Sequence, residues 1–393
     1  MAVHAAPSAD PQRFDLVVTG GLLADPLRPE PVAADLAVEG DRIAATGAPG
    51  TLVGAERVDA TGLLLAPGLI DLHAHVYAPR TDLGVPADRV GVEQGVTTLA
   101  DAGSCGSDHW DDFAGNVVEP ATTRVLSWLN ISRHGLVHGR TELAGGPDDI
   151  DEAATEKLLR EHPDTIRGIK VRMSSSVVGD SGLAPLEAAK RVAARAGRPV
   201  MVHVGNEPPR LGDVLDLLGE GDVVTHAFHG KPGGLLGSED AARRAVARGV
   251  RLDVGHGSAS LAFATAERAL AAGFSPYTIS TDVHVRNVEG PVHSLVTTLN
   301  KLLALGLSPQ QVIRRATLHP AQVLGLDGEL GTLRVGGAAD LTLLRLADTP
   351  LRLTDAEGDT RTTRTHLEAV AAVRAGRLHT LPIAPPNHRE ARE

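Results

Sequence analysis

Eight short apolar segments, separated by helical patterns, are the feature that most constrains how this chain folds. They cover residues 69–75, 97–103, 124–132, 166–174, 199–206, 222–230, 250–257 and 277–284. The stretches between them carry apolar residues at helical spacing, and several end in glycine, which often ends a helix. This alternation fits a closed (β/α)8 barrel or a doubly wound open sheet. The count of eight favours the α/β class with a (β/α)8 TIM barrel.

The two ends of the chain differ from its middle, because both read as short strands with turn signals. "RFDLVVTGGLL" near the beginning and "LEAVAAVRAGRLHTL" near the end are examples. We therefore predict that residues 1–66 and 326–393 are β-rich and that residues 67–325 form the barrel. Residues 1–12 are polar and rich in proline and alanine, and we predict them to be disordered.

The composition excludes several classes of function. A formal net charge of -11 argues against a nucleic-acid binder, which usually carries a basic face. The single cysteine rules out an intrachain disulfide. No apolar run approaches the roughly 18 residues of a membrane span, and no signal-peptide pattern opens the chain. These observations predict a cytoplasmic protein without membrane or nucleic-acid partners.

Histidines lie at the ends of several predicted strands. His73 and His75 close the first segment, and alternate strand residues face the same side. Such a pair fits either a metal site or hydrogen-bonded core histidines. Three further polar residues stand at the ends of other segments: His203, His226 and Asp282. In a barrel these ends meet at one mouth, and imidazole with carboxylate is a ligand set that zinc accepts. The combination favours a metal site.

Lys170 is an exception within the fourth apolar segment. It lies between Ile169 and Val171, and burying an ammonium without a partner is costly. A cation also fits poorly beside histidines that bind a divalent metal. Either Lys170 pairs with an acid such as Asp101, or it is not a cation in the folded protein.

Taken together, these motifs resemble the amidohydrolase superfamily. The resemblance rests on "GLIDLHAH", "IKVRMSSSVVG", "MVHVGNEPP", "VVTHAFHG" and "STDVH". They are most similar to the amidohydrolase/deacetylase branch, whose members were often labelled dihydroorotases. The resemblance implies that residues 1–66 and 326–393 join into a composite β-sandwich domain beside the barrel. The resemblance implies two divalent metal ions, zinc foremost, bridged by N6-carboxylated Lys170. One ion would take His73, His75, Lys170 and Asp282, and the other Lys170, His203 and His226.

The resemblance also implies a reaction. A metal-bridging hydroxide would cleave an amide or ester acyl bond, with Asp282 as general base and then general acid. The predicted substrate bears a carboxylate and is an N-acyl amino acid or an O-acyl α-hydroxy acid. Two alternatives stay open: a mononuclear deaminase or cyclic amidase resembling dihydroorotase, and a non-catalytic binding protein on the same fold. Relatives often form dimers or larger assemblies, so a homo-oligomer is also open.

Four residues are predicted to contact the substrate. Arg172 follows Lys170 by two and would bind the substrate carboxylate, or else pair with a loop acid. Tyr77 stands where dihydroorotases of the superfamily usually carry arginine, and it either donates a hydrogen bond to the substrate or packs at the rim. Ser104 follows the second segment, and His229 lies at the end of the sixth and three residues after His226; they complete the set, with capping of the loop backbone as the alternative for His229.

Three more residues have predicted roles around the pocket. Asp71 and Asp101 are expected to orient the ligand imidazoles as hydrogen-bond acceptors. Cys105 lies in "DAGSCG" without a recognisable cysteine-hydrolase pattern. We therefore interpret it as a small pocket-lining residue rather than a nucleophile.

Overall fold

The computed structural model describes residues 13–139 and 141–381, so the disorder predicted for residues 1–12 lies outside the described residues. The strands are β1 Arg13–Leu23, β2 Val32–Glu39, β3 Arg42–Gly47, β4 Val53–Asp59, β5 Leu64–Pro67, β6 Leu69–Ala74, β7 Val96–Ala102, β8 Arg124–Asn130, β9 Ile166–Met173, β10 Val200–Val204, β11 Val223–Thr225, β12 Arg251–Leu252, β13 Leu341–Thr354, β14 Thr360–Arg374 and β15 Arg377–Thr380.

The α-helices alternate with the middle strands and then follow them. They are α1 Ala87–Val90, α2 Trp110–Phe113, α3 Glu152–Glu161, α4 Ser175–Val178, α5 Ala184–Ala196, α6 Leu211–Asp216, α7 Glu239–Ala247, α8 Phe263–Ala271, α9 Leu295–Ala304, α10 Pro309–Arg315 and α11 Leu318–Val323. Among the described helices, none combines the length and the apolar character needed to cross a bilayer.

The middle of the chain forms a curled parallel sheet of seven strands, in the order β12-β11-β10-β9-β8-β7-β6. Each strand pairs in parallel with its neighbour along the chain. The eighth predicted segment, residues 277–284, joins the two edges through isolated parallel bridges. One bridge connects Ala74 to Val283 and the other connects Asp253 to Thr278. The chain is therefore an α/β protein whose parallel sheet curls until its edges meet at this segment.

The eighth segment is not a regular strand because side chains take over part of its hydrogen bonding. The Val283 N–H donates to Thr281 Oγ1 instead of to a neighbouring strand. The Thr281 N–H and hydroxyl both donate to the carboxylate of Asp71 on β6. Asp282 has φ 50°, in the left-handed region, which breaks an extended strand.

The terminal strands form a second sheet, in the order β15-β14-β13-β5-β1-β2-β3, with β4 also paired to β1. Strands from the two ends of the chain meet where β5 pairs with β13 in an antiparallel register. Leu16, Leu36, Leu341 and Val373 belong to one buried cluster of this sheet. Strands from the two ends of the chain therefore share one sheet.

Most residues in the strands of the curled sheet are apolar, because both faces of these strands are largely buried. One face packs on the helices, and the large core there includes Val200, Val202 and Leu186. The other face contributes residues such as Leu126 and Trp128 to a separate cluster. Burying each such Leu or Val side chain stabilises the fold by about 1.5–3 kcal/mol. This rigid sheet carries the polar residues of the site.

Candidate metal centre

The six predicted ligands lie in the second half of the parallel strands or just after them. His73 and Lys170 lie within β6 and β9, and His203 lies within β10. His226 directly follows β11, and Asp282 belongs to the eighth segment. Because the strands run in parallel, their carboxyl ends meet at one mouth of the curled sheet. His75, which follows β6 directly, faces the same mouth.

Asp282 lies at the centre of this group. Its Oδ1 is 3.1 Å from Nε2 of His73 and 3.1 Å from Nε2 of His75. Its Oδ2 is 3.9 Å from Nε2 of His226. One donor atom from each of His73, His226 and Asp282 lies within 4.8 Å of the others. This spacing suits side chains that share a metal ion.

Lys170 and His203 complete the cluster. Lys170 is buried, and its Nζ lies 3.1 Å from His73 Nε2 and 3.8 Å from Met201 Sδ. Neither contact is an acid, so among the described residues Lys170 has no carboxylate within hydrogen-bonding distance. His203 Nδ1 lies 3.0 Å from His226 Nε2. The alternative in which Lys170 pairs with an acid such as Asp101 is therefore absent from the structure.

Hydrogen bonds on the far side of two rings decide which nitrogen faces the cluster. His226 Nδ1 is 2.6 Å from the carbonyl oxygen of Gly255, which only accepts, so Nδ1 carries the proton. His73 Nδ1 is 2.8 Å from Thr225 Oγ1, and that hydroxyl donates to Asp253. The Thr225 oxygen therefore accepts from His73 Nδ1. In both neutral rings Nε2 presents a lone pair to the cluster, as a metal ligand does.

The electrostatics of the cluster favour uncharged imidazoles beside an ionised acid. Burial lowers the pKa of His73 and of His203 well below their usual value, and it lowers the pKa of His226 to about 3. Burial opposes ionisation of Asp282, but its contacts with His73 keep its pKa well below the usual range. Burial also lowers the pKa of Lys170 to about 8. Neutral imidazoles and an ionised carboxylate are the forms that bind metal.

Two of the proposed ligands occupy unusual backbone conformations. His226 has φ 65° and Asp282 has φ 50°, in the left-handed region that non-glycine residues rarely adopt. Such strain persists where the surrounding structure enforces it, and it is common at functional sites. Space is also restricted: a Cβ atom at Gly257 would lie 2.5 Å from Asp282 Oδ2.

A model of the amidohydrolase family matches residues 64–370. The chain belongs to the amidohydrolase family. It is 40% identical over 334 residues to deacetylase Atu3266 of Agrobacterium fabrum, covering 83% of this chain and 82% of the relative.

Two solved structures are similar over nearly the whole amidohydrolase. One is described as an adenine deaminase, with 34% identity, a TM-score of 0.87, and coverage of 93% of this chain and 100% of that one. The other is described as a dihydroorotase, with 34% identity, a TM-score of 0.86, and coverage of 95% and 99%. The predicted superfamily and the prediction of a hydrolytic enzyme are confirmed.

Arg172 of the amidohydrolase extends from β9 beyond Lys170. Its Nη1 lies 3.8 Å from Oε2 of Glu142, a buried acid of the loop after β8. Its Nε is buried and has no hydrogen-bond partner among the described residues. The loop acid that the sequence left as an alternative is thus present, but its distance of 3.8 Å from Arg172 is long for an ion pair.

Tyr77 and Ser104 already have partners within the protein. The hydroxyl of Tyr77 donates to Asp112 at 2.5 Å, and its fully buried ring packs edge-on against Phe113. Ser104 Oγ lies 2.8 Å from His75 Nδ1 and is also fully buried. The packing of Tyr77 corresponds to one of the two alternatives that the sequence left open. Ser104, predicted to contact the substrate, has its hydroxyl beside the ring of His75, a predicted ligand.

His229 and Cys105 are buried near the mouth. His229 Nδ1 accepts the backbone N–H of Lys231 at 3.1 Å, and burial lowers the pKa of this ring to about 4. This is the loop-capping arrangement, one of the alternatives that the sequence left open. Cys105 Sγ donates to the carbonyl of Gly106, and burial raises the pKa of the thiol well above its usual value. A buried, protonated thiol is not a nucleophile.

The acceptors behind the ligand rings differ from the predicted ones. Asp71 and Asp101 accept backbone N–H groups instead of imidazole protons. The His73 ring is held by Thr225, and Thr225 by Asp253. In the sequence, Thr225 and Asp253 are recognisable only as polar residues inside apolar runs, "VVTH" and "RLDVGHG". That signal shows burial of a polar group but does not reveal which ring the group contacts.

Proposed function

We propose that this amidohydrolase cleaves an amide or ester acyl bond of a small carboxylate-bearing molecule, namely an N-acyl amino acid or an O-acyl α-hydroxy acid. The observation that carries the proposal is buried Lys170, which lacks a carboxylate partner and belongs to the same cluster as Asp282 and the histidines. The deacetylase name of the Agrobacterium fabrum relative, at 40% identity, supports an acyl group as the part removed.

The cluster fits a pair of divalent ions, because two rings direct Nε2 lone pairs inward beside an ionised carboxylate. The residues that would hold them are His73, His75, Lys170, His203, His226 and Asp282. Imidazole and carboxylate ligands suit zinc. Two such metal ions would supply a water of lowered pKa and would polarise the scissile carbonyl.

Lys170 would act as an N6-carboxylated bridge between the two ions. Its neutral amine would add to carbon dioxide, forming a carbamate and releasing a proton. Burial lowers the pKa of Lys170 to about 8, so a fraction of neutral amine exists at neutral pH. The modification replaces a buried cation that lacks an acid by an anion with two oxygen ligands. It thereby removes the charge conflict within the cluster.

Asp282 would move the proton of the reaction. Its pKa lies well below the usual range, so the carboxylate is ionised and its oxygens are open to a proton from the attacking water. It would then pass this proton to the leaving amine or alcohol. The carboxylate lies 3.1 Å from Nε2 of both His73 and His75, at the centre of the cluster where the water would be held.

Arg172 would bind the substrate carboxylate. A guanidinium pairs with a carboxylate through two parallel hydrogen bonds, and Arg172 has Nε unpartnered among the described residues. Its pair with Glu142 is long, at 3.8 Å, so a substrate could replace or share that contact. Tyr77 and Ser104, whose polar groups are engaged within the protein, have no part in this proposal.

Metal analysis and a substrate screen test the proposal together. Elemental analysis of protein purified without chelator should give about two zinc equivalents, and a ¹³C-labelled bicarbonate soak should give a carbamate resonance that Lys170→Met lacks. N-acetyl amino acids and O-acetyl α-hydroxy acids of both hands form the screen, with decarboxylated analogues as controls. Metal well below one equivalent contradicts the metal site. Equal turnover of the decarboxylated analogues contradicts the role of Arg172.

A deaminase or a cyclic amidase is the second candidate, because the two similar structures are described as an adenine deaminase and a dihydroorotase. Glu207, the acid closest in sequence to His203, is exposed and lies against Gly233. This position does not favour a deaminase. One metal per chain with ammonia release from adenine would support the deaminase, and ring opening of dihydroorotate would support the amidase. The family assignment leaves the non-catalytic alternative unsupported.

We also propose that the curled sheet is a (β/α)8 barrel spanning residues 67–325. The terminal sheet would be the β-sandwich of residues 1–66 and 326–393. A cytoplasmic location and a homo-oligomeric state stay predictions. Limited proteolysis should cut between the two units if they are separate, and size-exclusion chromatography with light scattering reports the oligomer.

A further inference from the structure

A second buried lysine lies behind the cluster and has no part in the reaction proposed above. Lys301, on α9, is 1% exposed. Its Nζ lies 2.6 Å from His256 Nε2 and donates to the carbonyl of Pro291 at 2.6 Å. Neither partner is an acid, and among the described residues no carboxylate is within hydrogen-bonding distance of it. A buried methionine would cost the fold less, so the lysine calls for a function.

The hydrogen bonds of His256 give this contact a direction. His256 Nδ1 is 2.8 Å from the carbonyl oxygen of Gly257, which only accepts, so Nδ1 carries the ring proton. Burial, and then the charge of Lys301, lowers the pKa of His256 to about 3, so the ring is neutral. Nε2 is therefore the acceptor for Lys301. The lysine holds the ring, and the ring holds the backbone of the turn.

That turn, residues 255–257, touches two of the proposed ligands. The Gly255 carbonyl accepts from His226 Nδ1 at 2.6 Å, which leaves Nε2 of His226 free for a metal. Gly257 backs the carboxylate of Asp282, since a Cβ there would lie 2.5 Å from Oδ2. Both glycines have positive φ, of 48° and 53°, which glycine adopts readily. The backbone N–H groups of residues 256 and 257 donate to the carbonyls of Ser280 and Thr281, and the contact of His256 with Lys301 adds a side-chain anchor to this turn.

We propose that Lys301 and His256 are a positioning pair that holds turn 255–257. Through this turn the pair would fix the ring of His226 and the carboxylate of Asp282. The inference rests on the proposed metal site, and it concerns residues that touch neither metal nor substrate. A purely structural role would only attach α9 to the turn, and would leave metal binding unchanged in a folded variant.

The test compares Lys301→Met, His256→Asn and the double variant with wild type. Lys190→Met is the matched control, because Lys190 pairs with Asp222 at the opposite end of the sheet. Each protein is stripped with chelator, its fold is checked by circular dichroism, and zinc affinity is measured by competition with a chromophoric chelator. kcat and KM follow for the acylated acid that wild type turns over fastest.

We expect zinc affinity and kcat to fall about 10- to 100-fold in Lys301→Met and in His256→Asn, with KM within about twofold of wild type. Because the pair acts as a unit, the double variant should lose no more than His256→Asn. Lys190→Met should keep zinc affinity and kcat within about twofold. If Lys301→Met does not fold, His256→Asn carries the test, since Lys301 then keeps its bond to Pro291.

Folded variants that bind zinc and turn over substrate like wild type would overturn the pairing role. An equal loss of zinc affinity in Lys190→Met would also overturn it, because the effect would then be general destabilisation. Wild type that binds no zinc contradicts the proposed function itself. The two failures are therefore distinguishable.

Discussion

Lysines at the two ends of the parallel sheet differ in whether an acid pairs with them. At the amino end, Lys190 pairs directly with Asp222, whose other oxygen accepts the Val200 N–H at 2.9 Å. At the mouth, Lys170 meets an imidazole and a thioether, and Lys301 meets an imidazole and a carbonyl. Charges that serve stability find their counter-ions within the chain. Among the described residues, neither Lys170 nor Lys301 has an acid within hydrogen-bonding distance, and perturbed buried groups of this kind are frequent at functional sites.

The largest expected effect separates catalysis from stability. Asp282→Asn removes the proton carrier at the mouth and should lower kcat by about 10³-fold. Asp222→Asn weakens the pair at the amino end and should lower the free energy of unfolding while keeping kcat within about twofold. Steady-state kinetics and urea unfolding of both variants check the comparison. Full activity of Asp282→Asn would show that its carboxylate has no catalytic role.

Acid should destabilise the metal-free mouth. The pKa of His226 is about 3 in the folded protein and about 6.5 when exposed. Between these values the unfolded state binds more protons, so the free energy of unfolding falls as pH drops from 6.5 to 3. The slope from this ring is at most about 1.4 kcal/mol per pH unit. His226→Asn should flatten the slope in urea unfolding after chelation, and an unchanged slope would contradict the buried neutral ring.

The two lysines should respond differently to the same substitution. In metal-free protein, Lys170→Met removes a buried cation without an acid partner, and stability should change by less than about 1 kcal/mol. Lys190→Met leaves Asp222 buried and should cost about 2 kcal/mol, since Lys190 is only partly buried. With zinc present, only Lys170→Met should lose the second metal equivalent. A loss of stability in metal-free Lys170→Met larger than that in Lys190→Met would contradict the view that Lys170 is a buried cation without an acid partner.

The smallest effect concerns Tyr77. Tyr77→Phe removes the hydrogen bond to Asp112 and should cost about 1 kcal/mol of stability. Because the ring is buried against Phe113, kcat and KM should stay within about twofold. A KM increase specific to carboxylate-bearing substrates would instead place the Tyr77 hydroxyl at the substrate, as the sequence allowed.

Much of the fold and of the cluster could be predicted from the sequence because both depend on local patterns. Continuous apolar runs mark strands buried on both faces, and alternation along β6 places His73 and His75 on one side. Parallel strands then bring their carboxyl ends together, so polar residues at those ends converge whatever the loops do. This rule explains why His73, His75 and His226 lie near Asp282. It also predicts that Lys170, a polar residue within an apolar strand, lies near the same end of the sheet.

Contacts between distant residues were decided only by the tertiary structure. The ring orientation of His73 depends on Thr225, 152 residues away along the chain. For Tyr77 the sequence left a substrate contact and packing open, and for Ser104 it predicted a substrate contact; only the structure shows that their polar groups bind Asp112 and His75. Side-chain hydrogen bonds also replaced the regular eighth strand. Spacing along the chain determines which edge of a sheet a residue reaches. Hydrogen-bond partners depend on packing between elements that are distant in sequence, and this packing cannot be derived from the spacing.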